Sequence, residues 1–133
     1  MGVSIRRAAG PLSLPFRVFG AVLALWATPC LAAVNFATDV QPVLTAKCLG
    51  CHAGASAQAG LRLHTRADLL TGGVSGPAIV PGNGAESLLV KKIAGTQGLR
   101  MPPAGAPLDE RTIATILAWI DEGAKYDGTV GLV

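Results

Sequence analysis

A helical pattern of apolar residues is clearest near the C-terminal end of the chain. Its apolar positions recur every three or four residues: Ile113, Ile116, Leu117 and Ile120. This spacing predicts an amphipathic helix that buries the stripe, with Trp119 extending the buried edge. Asp109 can cap the helix, Leu108 can pack onto Ile113, and Gly123 can end it. We therefore expect a helix between Asp109 and Gly123.

A second helix is predicted from about Thr38 to Lys47. Thr38 and Gln41 resemble a capping box, and Pro42 is tolerated because it lies near the first turn. The apolar residues of this segment share one helical face, which should meet the core: Phe36, Val40, Val43 and Leu44.

A third helix is predicted from Ala85 or Glu86 to Ile93, where Leu88 and Leu89 fall at helical spacing with Ile93. Gly95 can end this helix. Lys91 and Lys92 are expected to face water.

The segment between Gly54 and Gly84 is rich in Gly and Pro, which interrupt any regular period apart from a short helical turn near Thr65 to Leu70. No stretch of the chain alternates apolar and polar residues with a period of two, as strands do. The fold class is therefore predicted to be all-α, with about three main helices and long Gly/Pro-rich loops.

Residues 1–33 have the pattern of a secretory signal peptide. Arg6 and Arg7 precede a mostly apolar stretch that ends in small residues, which suits cleavage after Ala32 or Ala33. An uncleaved membrane anchor is the alternative, since this stretch approaches the length of a membrane span. Pro29 before Cys30 argues against a lipoprotein. We expect a domain at residues 34–133 that is periplasmic or secreted and has no membrane span.

The net charge does not point to nucleic acid. Arg6, Arg7 and Arg17 account for the formal net charge of +3, so the predicted mature domain is balanced. This domain has few large side chains for a core, and a small domain buries little surface by itself. A large cofactor would supply part of the missing core.

Two cysteines remain in the predicted mature domain, in the run Cys48-Leu49-Gly50-Cys51-His52. A disulfide across so short a loop would stabilise the fold very little. The spacing is that of c-type haem attachment, with both cysteines on the porphyrin and His52 as an iron ligand. A redox dithiol would need a strand before the motif, and zinc would need four ligands, for which His64 is poorly spaced.

Met101 is the candidate for the second iron ligand, because thioether sulfur is common in haem electron carriers. It precedes Pro102 and Pro103, which restrict the backbone and would hold the sulfur in place. An isolated Met can also be a flexible core filler. His64 is the other possible ligand, but it follows His52 closely, so a surface or hydrogen-bonding role is favoured.

The predicted mature chain resembles the single-haem cytochrome c domain of the planctomycete-type branch. The resemblance lies in these segments: Phe36 to Cys48, Cys48-Leu49-Gly50-Cys51-His52, Gly60-Leu61-Arg62-Leu63, Gly76-Pro77-Ala78-Ile79-Val80-Pro81-Gly82, Ser87-Leu88-Leu89, Met101-Pro102-Pro103 and Trp119-Ile120. It implies a small class-I-like cytochrome c fold around one covalent haem c, with Cys48 and Cys51 as thioether cysteines. It also implies His52 as proximal and Met101 as distal ligand.

The expected function is that of an electron carrier, not an enzyme, which passes single electrons between protein redox partners as a monomer or within a redox complex. Candidate steering charges for docking are Lys47, Lys91, Lys92 and Arg100. The alternative is a haem sensor or the haem subunit of a larger redox enzyme, with a displaceable distal ligand.

Overall fold

The computed structural model describes residues 1–2 and 33–126. Its elements, in chain order, are a π-helical turn at Phe36–Val40, α1 at Gln41–Lys47, a 3-10 turn at Gln58–Gly60, α2 at Arg66–Thr71, α3 at Leu88–Ala94 and α4 at Glu110–Asp121. Between residues 33 and 126 there is no strand, only an isolated bridge between Gly73 and Gly76. The all-α class predicted from the sequence is confirmed.

The predicted signal peptide, residues 1–33, lies almost entirely outside the described residues. No helix within residues 33–126 has both the length and the apolar character that a membrane span requires.

Asn35, and not Thr38, caps the first helical segment. Its side chain accepts a hydrogen bond from the Thr38 N–H at 3.2 Å. Thr38 itself lies inside the first turn, where its hydroxyl donates to Asp39 at 2.9 Å. The predicted capping box at Thr38 and Gln41 is therefore wrong, because Asn35 supplies the same kind of cap three residues earlier.

The π-helical turn joins α1 at Pro42. The Gln41 N–H donates to the Phe36 carbonyl, five residues back. Pro42 is the next residue and has no N–H, so the spacing can change from π to α without leaving a donor unpaired. The helix then ends at Lys47, as the sequence predicts.

The aromatic rings pack the first helical segment against the last helix. The Phe36 ring stacks on Tyr126 with a centroid distance of 3.7 Å and lies 5.2 Å from the Trp119 ring. Other large apolar side chains that are fully buried come from every part of the domain: Val40, Leu44, Leu63, Leu69, Ile79, Ile93, Ile116 and Ile120. One core thus joins the helices to the loops between them.

The run Gly76–Gly82 crosses the domain between three helices. Ala78 donates its N–H to the Leu69 carbonyl of α2 at 2.9 Å and accepts from the Leu89 N–H of α3 at 2.8 Å. Gly82 donates to the Ile120 carbonyl of α4 at 2.7 Å. These bonds satisfy the backbone of a loop that would otherwise be buried unpaired.

Two of the shorter elements are close to their predicted positions. Helix α2 occupies Arg66–Thr71, near the predicted turn at Thr65 to Leu70, and Thr65 caps it by accepting from the Asp68 N–H at 3.0 Å. Helix α3 ends at Gly95 as predicted, with Gly95 in the left-handed conformation at φ 73°.

Helix α3 begins at Leu88, later than the predicted Ala85 or Glu86. The reason is Ser87, which is fully buried. Its hydroxyl accepts from the Val80 N–H at 2.8 Å and donates to the Asn83 carbonyl at 2.9 Å. Residues 83–87 therefore form a turn that is fixed by the Gly76–Gly82 run and not by local helix propensity.

Helix α4 confirms the predicted cap and stripe. The Asp109 side chain accepts from the Thr112 N–H at 2.9 Å, and the helix covers Glu110–Asp121. Ile116, Trp119 and Ile120 are buried, whereas the remaining apolar positions of the stripe are half-buried: Ile113 and Leu117.

Tyr126 generates a prediction about alkaline stability. Burial, with a further contribution from the Asp68 carboxylate, raises its pKa to about 12. An unfolded tyrosine ionises near pH 10, so between these pH values the unfolded state loses a proton that the folded state keeps. The free energy of unfolding should therefore fall from about pH 10 to about pH 12. Denaturant titrations across this range measure the decline.

Tyr126→Phe is the matched control, and it should remove this part of the decline. Because Tyr126 is the chain's only tyrosine, its phenolate absorbance reports the ionisation directly. A midpoint near 10 in the folded protein would contradict the burial of this hydroxyl.

Candidate haem-binding site

One cavity brings the sequence-predicted site residues together. It encloses about 950 Å³ of space between protein atoms, part of it open to solvent. Cys48, Cys51, His52 and Met101 all line it. Most of the other lining residues are apolar or small and come from four segments: Ala59, Leu61, Leu63, Gly73, Val74, Gly76, Ala78, Leu88, Leu89, Ile93, Pro102 and Pro103.

The Cys48 to His52 motif forms a helical turn directly after α1. Leu49 donates its N–H to the Leu44 carbonyl at 3.0 Å, and His52 donates to the Cys48 carbonyl at 3.0 Å. The Leu49 side chain is buried in the core, so the motif is anchored from within. The intervening Gly50 is exposed, and a Cβ added there would meet no atom within 4 Å.

The His52 ring is oriented by the segment that follows the motif. Its Nδ1 lies 3.3 Å from the Leu61 carbonyl oxygen, and its own carbonyl accepts from the Leu63 N–H at 3.0 Å. A proton on Nδ1 is donated to Leu61, and this tautomer leaves the lone pair on Nε2. Histidines that bind metals use this arrangement, in which the second ring nitrogen is held by a carbonyl.

The two thiols are unpaired and differ in environment. Cys51 is exposed, whereas Cys48 is half-buried, and no disulfide joins them. Burial, with a smaller contribution from Cys51, raises the pKa of the Cys48 thiol to about 11. The Cys48 thiol is therefore protonated at neutral pH, which makes it a weak ligand for a soft metal ion.

Met101 lies on the wall formed by the segment after α3. Its N–H donates to the Lys92 carbonyl at 2.9 Å, which ties the segment to the end of the helix. Pro102 and Pro103 follow and also line the cavity. The Met101 side chain is half-buried at the cavity and is not part of the packed core. This placement does not fit the alternative role of core filler.

His64 does not line the cavity. Its Nε2 accepts a weak hydrogen bond from the Gly54 N–H at 3.4 Å, which closes the loop after the motif. This position fits the hydrogen-bonding role that the sequence favours over iron ligation.

The four candidate steering charges have different environments in the structure. Lys91 is paired with Glu86 at 2.8 Å. Lys92 is half-buried, like Lys91, and lines the cavity, which is partly open to solvent. Arg100 is half-buried, and its Nη1 has no hydrogen-bond partner among the described residues. Lys47 is exposed at the cavity.

The charged side chains that line the cavity, among the described residues, are all basic. Lys47 and Lys92 are the charged side chains among the described residues that line it, and none of those lining residues is acidic. An apolar cavity with cationic groups at its wall suits a flat apolar ligand that carries acidic substituents. Together with the two thiols, His52 and Met101, the residues present fit a haem.

A tight turn at Gly72 to Gly76 forms a cavity wall that sequence reasoning did not assign to the site. Gly72 and Gly76 have positive φ values, and a Cβ on Gly72 would overlap the Gly76 carbonyl. Val74 donates its N–H to the Ala59 carbonyl at 2.9 Å. The closely spaced glycines were the available signal, since such positions favour residues without a Cβ.

The fold and site define a helical domain with the residues of a cytochrome c. Residues 48–105 match the family model described as Planctomycete cytochrome C. The match supports a planctomycete-type cytochrome c domain over this stretch, in agreement with the resemblance drawn from the sequence. This makes the domain that of a haem-binding redox protein and implies c-type haem. Searches of curated proteins and of solved structures gave no match.

Gly73→Ala should destabilise the cavity wall. A Cβ at Gly73 would lie 2.5 Å from the Ala59 carbonyl oxygen and 2.9 Å from the Leu61 N. Both atoms belong to the backbone next to the His52 partner, so relief requires the wall to move. We expect a loss of about 1–3 kcal/mol in the free energy of unfolding, measured by urea denaturation.

Gly50→Ala is the matched control, because its added methyl meets no protein atom and its backbone does not need a positive φ. Equal stability of the two variants would contradict the packing described for the turn.

Proposed function

We propose that this protein is an exported mono-haem c-type cytochrome that carries single electrons between protein redox partners. The observation that carries the proposal is the convergence of Cys48, Cys51, His52 and Met101 on one largely apolar cavity. The family match supports the haem and its redox role. The chemistry that bound haem supplies is a one-electron change of its iron.

Each of the four residues has a defined role in the proposal. Cys48 and Cys51 hold the cofactor through thioether bonds, and His52 ligates iron through Nε2 while Leu61 holds Nδ1. Met101 would provide a sulfur ligand, and the hydrogen bond from its N–H to the Lys92 carbonyl holds the backbone at this position. Two protein ligands on rigid segments favour electron transfer, because little rearrangement accompanies a change of charge.

The apolar walls also contribute to the proposed function. Leu61, Leu63, Leu89 and Ile93 give the cavity a largely apolar lining, and an apolar environment disfavours the more highly charged form of a metal centre. A thioether ligand acts in the same direction, since soft sulfur favours Fe(II). We expect both features to raise the reduction potential.

Export supports the same assignment. The predicted leader would take the protein out of the cytoplasm, and no membrane-spanning helix occurs in residues 33–126. We place the mature protein, from about residue 34, in the periplasm or outside the cell, as a monomer or within a redox complex.

Met101→Ala tests the carrier role against that of a sensor or catalytic subunit. The wild-type ferric protein should show the weak red absorption band of Met-ligated haem, and its ferrous form should not respond to carbon monoxide. The variant should lose this band and bind carbon monoxide, because a coordination position becomes free. Optical titrations of both oxidation states measure these changes.

His64→Ala is the control, and its spectrum should be that of the wild type. Rapid carbon monoxide binding by the wild type would favour the sensor or subunit role. Absence of the red band from the wild type, together with a spectrum that changes in His64→Ala and not in Met101→Ala, would show that His64 and not Met101 is the distal ligand.

Lys47 is the steering charge that the structure leaves exposed at the cavity. Lys47→Gln should slow oxidation of the ferrous protein by the anion ferricyanide severalfold at low ionic strength, with the difference shrinking as salt is added. Stopped-flow kinetics measure it. Lys125→Gln removes an exposed charge that does not line the cavity, and an equal effect there would indicate only a net-charge effect.

A further inference from the structure

Among residues 33–126, Lys92 at the wall of the cavity has no counterion. Its side chain is half-buried and lines the cavity. Neither of the salt bridges within residues 33–126 involves it, since these join Arg62 to Asp68 and Lys91 to Glu86. A charged group that is partly removed from water is stabilised when it is paired.

The neighbouring Lys91 differs from Lys92 in having a carboxylate as counterion. Both lysines lie in the last turn of α3, where the helix dipole favours a positive charge. Lys91 has a carboxylate at 2.8 Å, whereas the cavity next to Lys92 is lined by no acidic residue among those described. Lys91 is thus paired with a carboxylate of the protein, whereas Lys92 lies at the cavity.

The loop from Gly95 to Arg100 packs beside the end of α3 and carries a second, half-buried cation. Lys92 Nζ lies 3.2 Å from the position that a Cβ on Gly98 would occupy, so the absence of a side chain there leaves room for the ammonium group. The Arg100 stem packs against Gly95, with its Cγ and Cδ 3.4 Å from a Cβ built there. Arg100 Nη1 is buried without a partner among the described residues.

We infer that Lys92 pairs with a carboxylate of the bound haem. Haem carries two acidic side chains, and a carboxylate is the anion that ammonium and guanidinium groups bind best by charge-assisted hydrogen bonds. The inference rests on the proposed function. It makes Lys92 a positioning residue that orients the cofactor in the cavity and offsets its negative charge.

The pairing has a consequence for the redox centre. A positive charge beside the carboxylate favours the state with the additional electron, so its removal should favour the oxidised state. Lys92→Gln should therefore have a lower reduction potential than the wild type, and Lys92→Arg should stay close to it.

The test compares Lys92→Gln with Lys91→Gln as holoproteins. Both variants remove one lysine charge from the same helical turn, but only Lys92 lines the cavity. The resonance Raman band of the haem propionate bending mode, which reports hydrogen bonding to the carboxylate, should shift in Lys92→Gln and not in Lys91→Gln. The reduction potential should fall further in Lys92→Gln.

Equal Raman bands and equal potentials in the two variants, with haem bound and Met101 ligated, would overturn the inference. Absence of covalent haem from the wild type would instead overturn the proposed function. If Lys92→Gln does not accumulate, proton NMR of the ferrous wild type replaces it: nuclear Overhauser contacts between the Lys92 side chain and the propionate methylenes are expected. Their absence, or contacts from a segment outside residues 33–126 in their place, would overturn the inference.

Discussion

Buried loop backbone must form hydrogen bonds, and in this protein that constraint builds the cavity. Much of its wall belongs to loops, and unpaired N–H and C=O groups there would be costly. Each loop is therefore tied to a helix or to the haem motif. The bonds that do this are Leu63 N–H to His52 carbonyl, Leu89 N–H to Ala78 carbonyl and Met101 N–H to Lys92 carbonyl. The proposed ligands are positioned by these bonds.

The aromatic cluster and the cavity are formed by different parts of the chain. The rings of Phe36, Trp119 and Tyr126 pack the first helical segment against α4, outside the stretch of 48–105 that matches the family. The matched stretch instead contains all the cavity residues except Lys47. The terminal helices therefore support a site whose chemistry lies in the segments between them.

Sequence reasoning succeeded where the determining interactions are local. Helix α4 was predictable because Asp109 caps it through Thr112 and because its stripe repeats at helical spacing. It failed where contacts between distant segments determine the local structure. Ser87 is bound by Val80 and Asn83, which delays the start of α3, and the pairing of His52 with Leu61 joins loops with no shared pattern.

The candidate site was predictable to a similar extent. The spacing of Cys48, Cys51 and His52 is a chemical signature that survives without structural knowledge, and Met101 followed from ligand chemistry. The position of Lys92 was not predictable, because Lys91 and Lys92 are adjacent and chemically alike in the sequence. Only the end of α3 and its bond to Met101 place that side chain at the site.

Covalent attachment of haem is the central claim, and the most direct measurement is a pyridine haemochrome spectrum of the full chain. The protein would be expressed with its leader alongside cytochrome c maturation machinery, with the Cys48→Ala, Cys51→Ala double variant as control. We predict a c-type spectrum that survives acid-acetone extraction in the wild type and is lost in the double variant. Extractable haem, or none, in the wild type would contradict the account and return the two cysteines to thiol or metal chemistry.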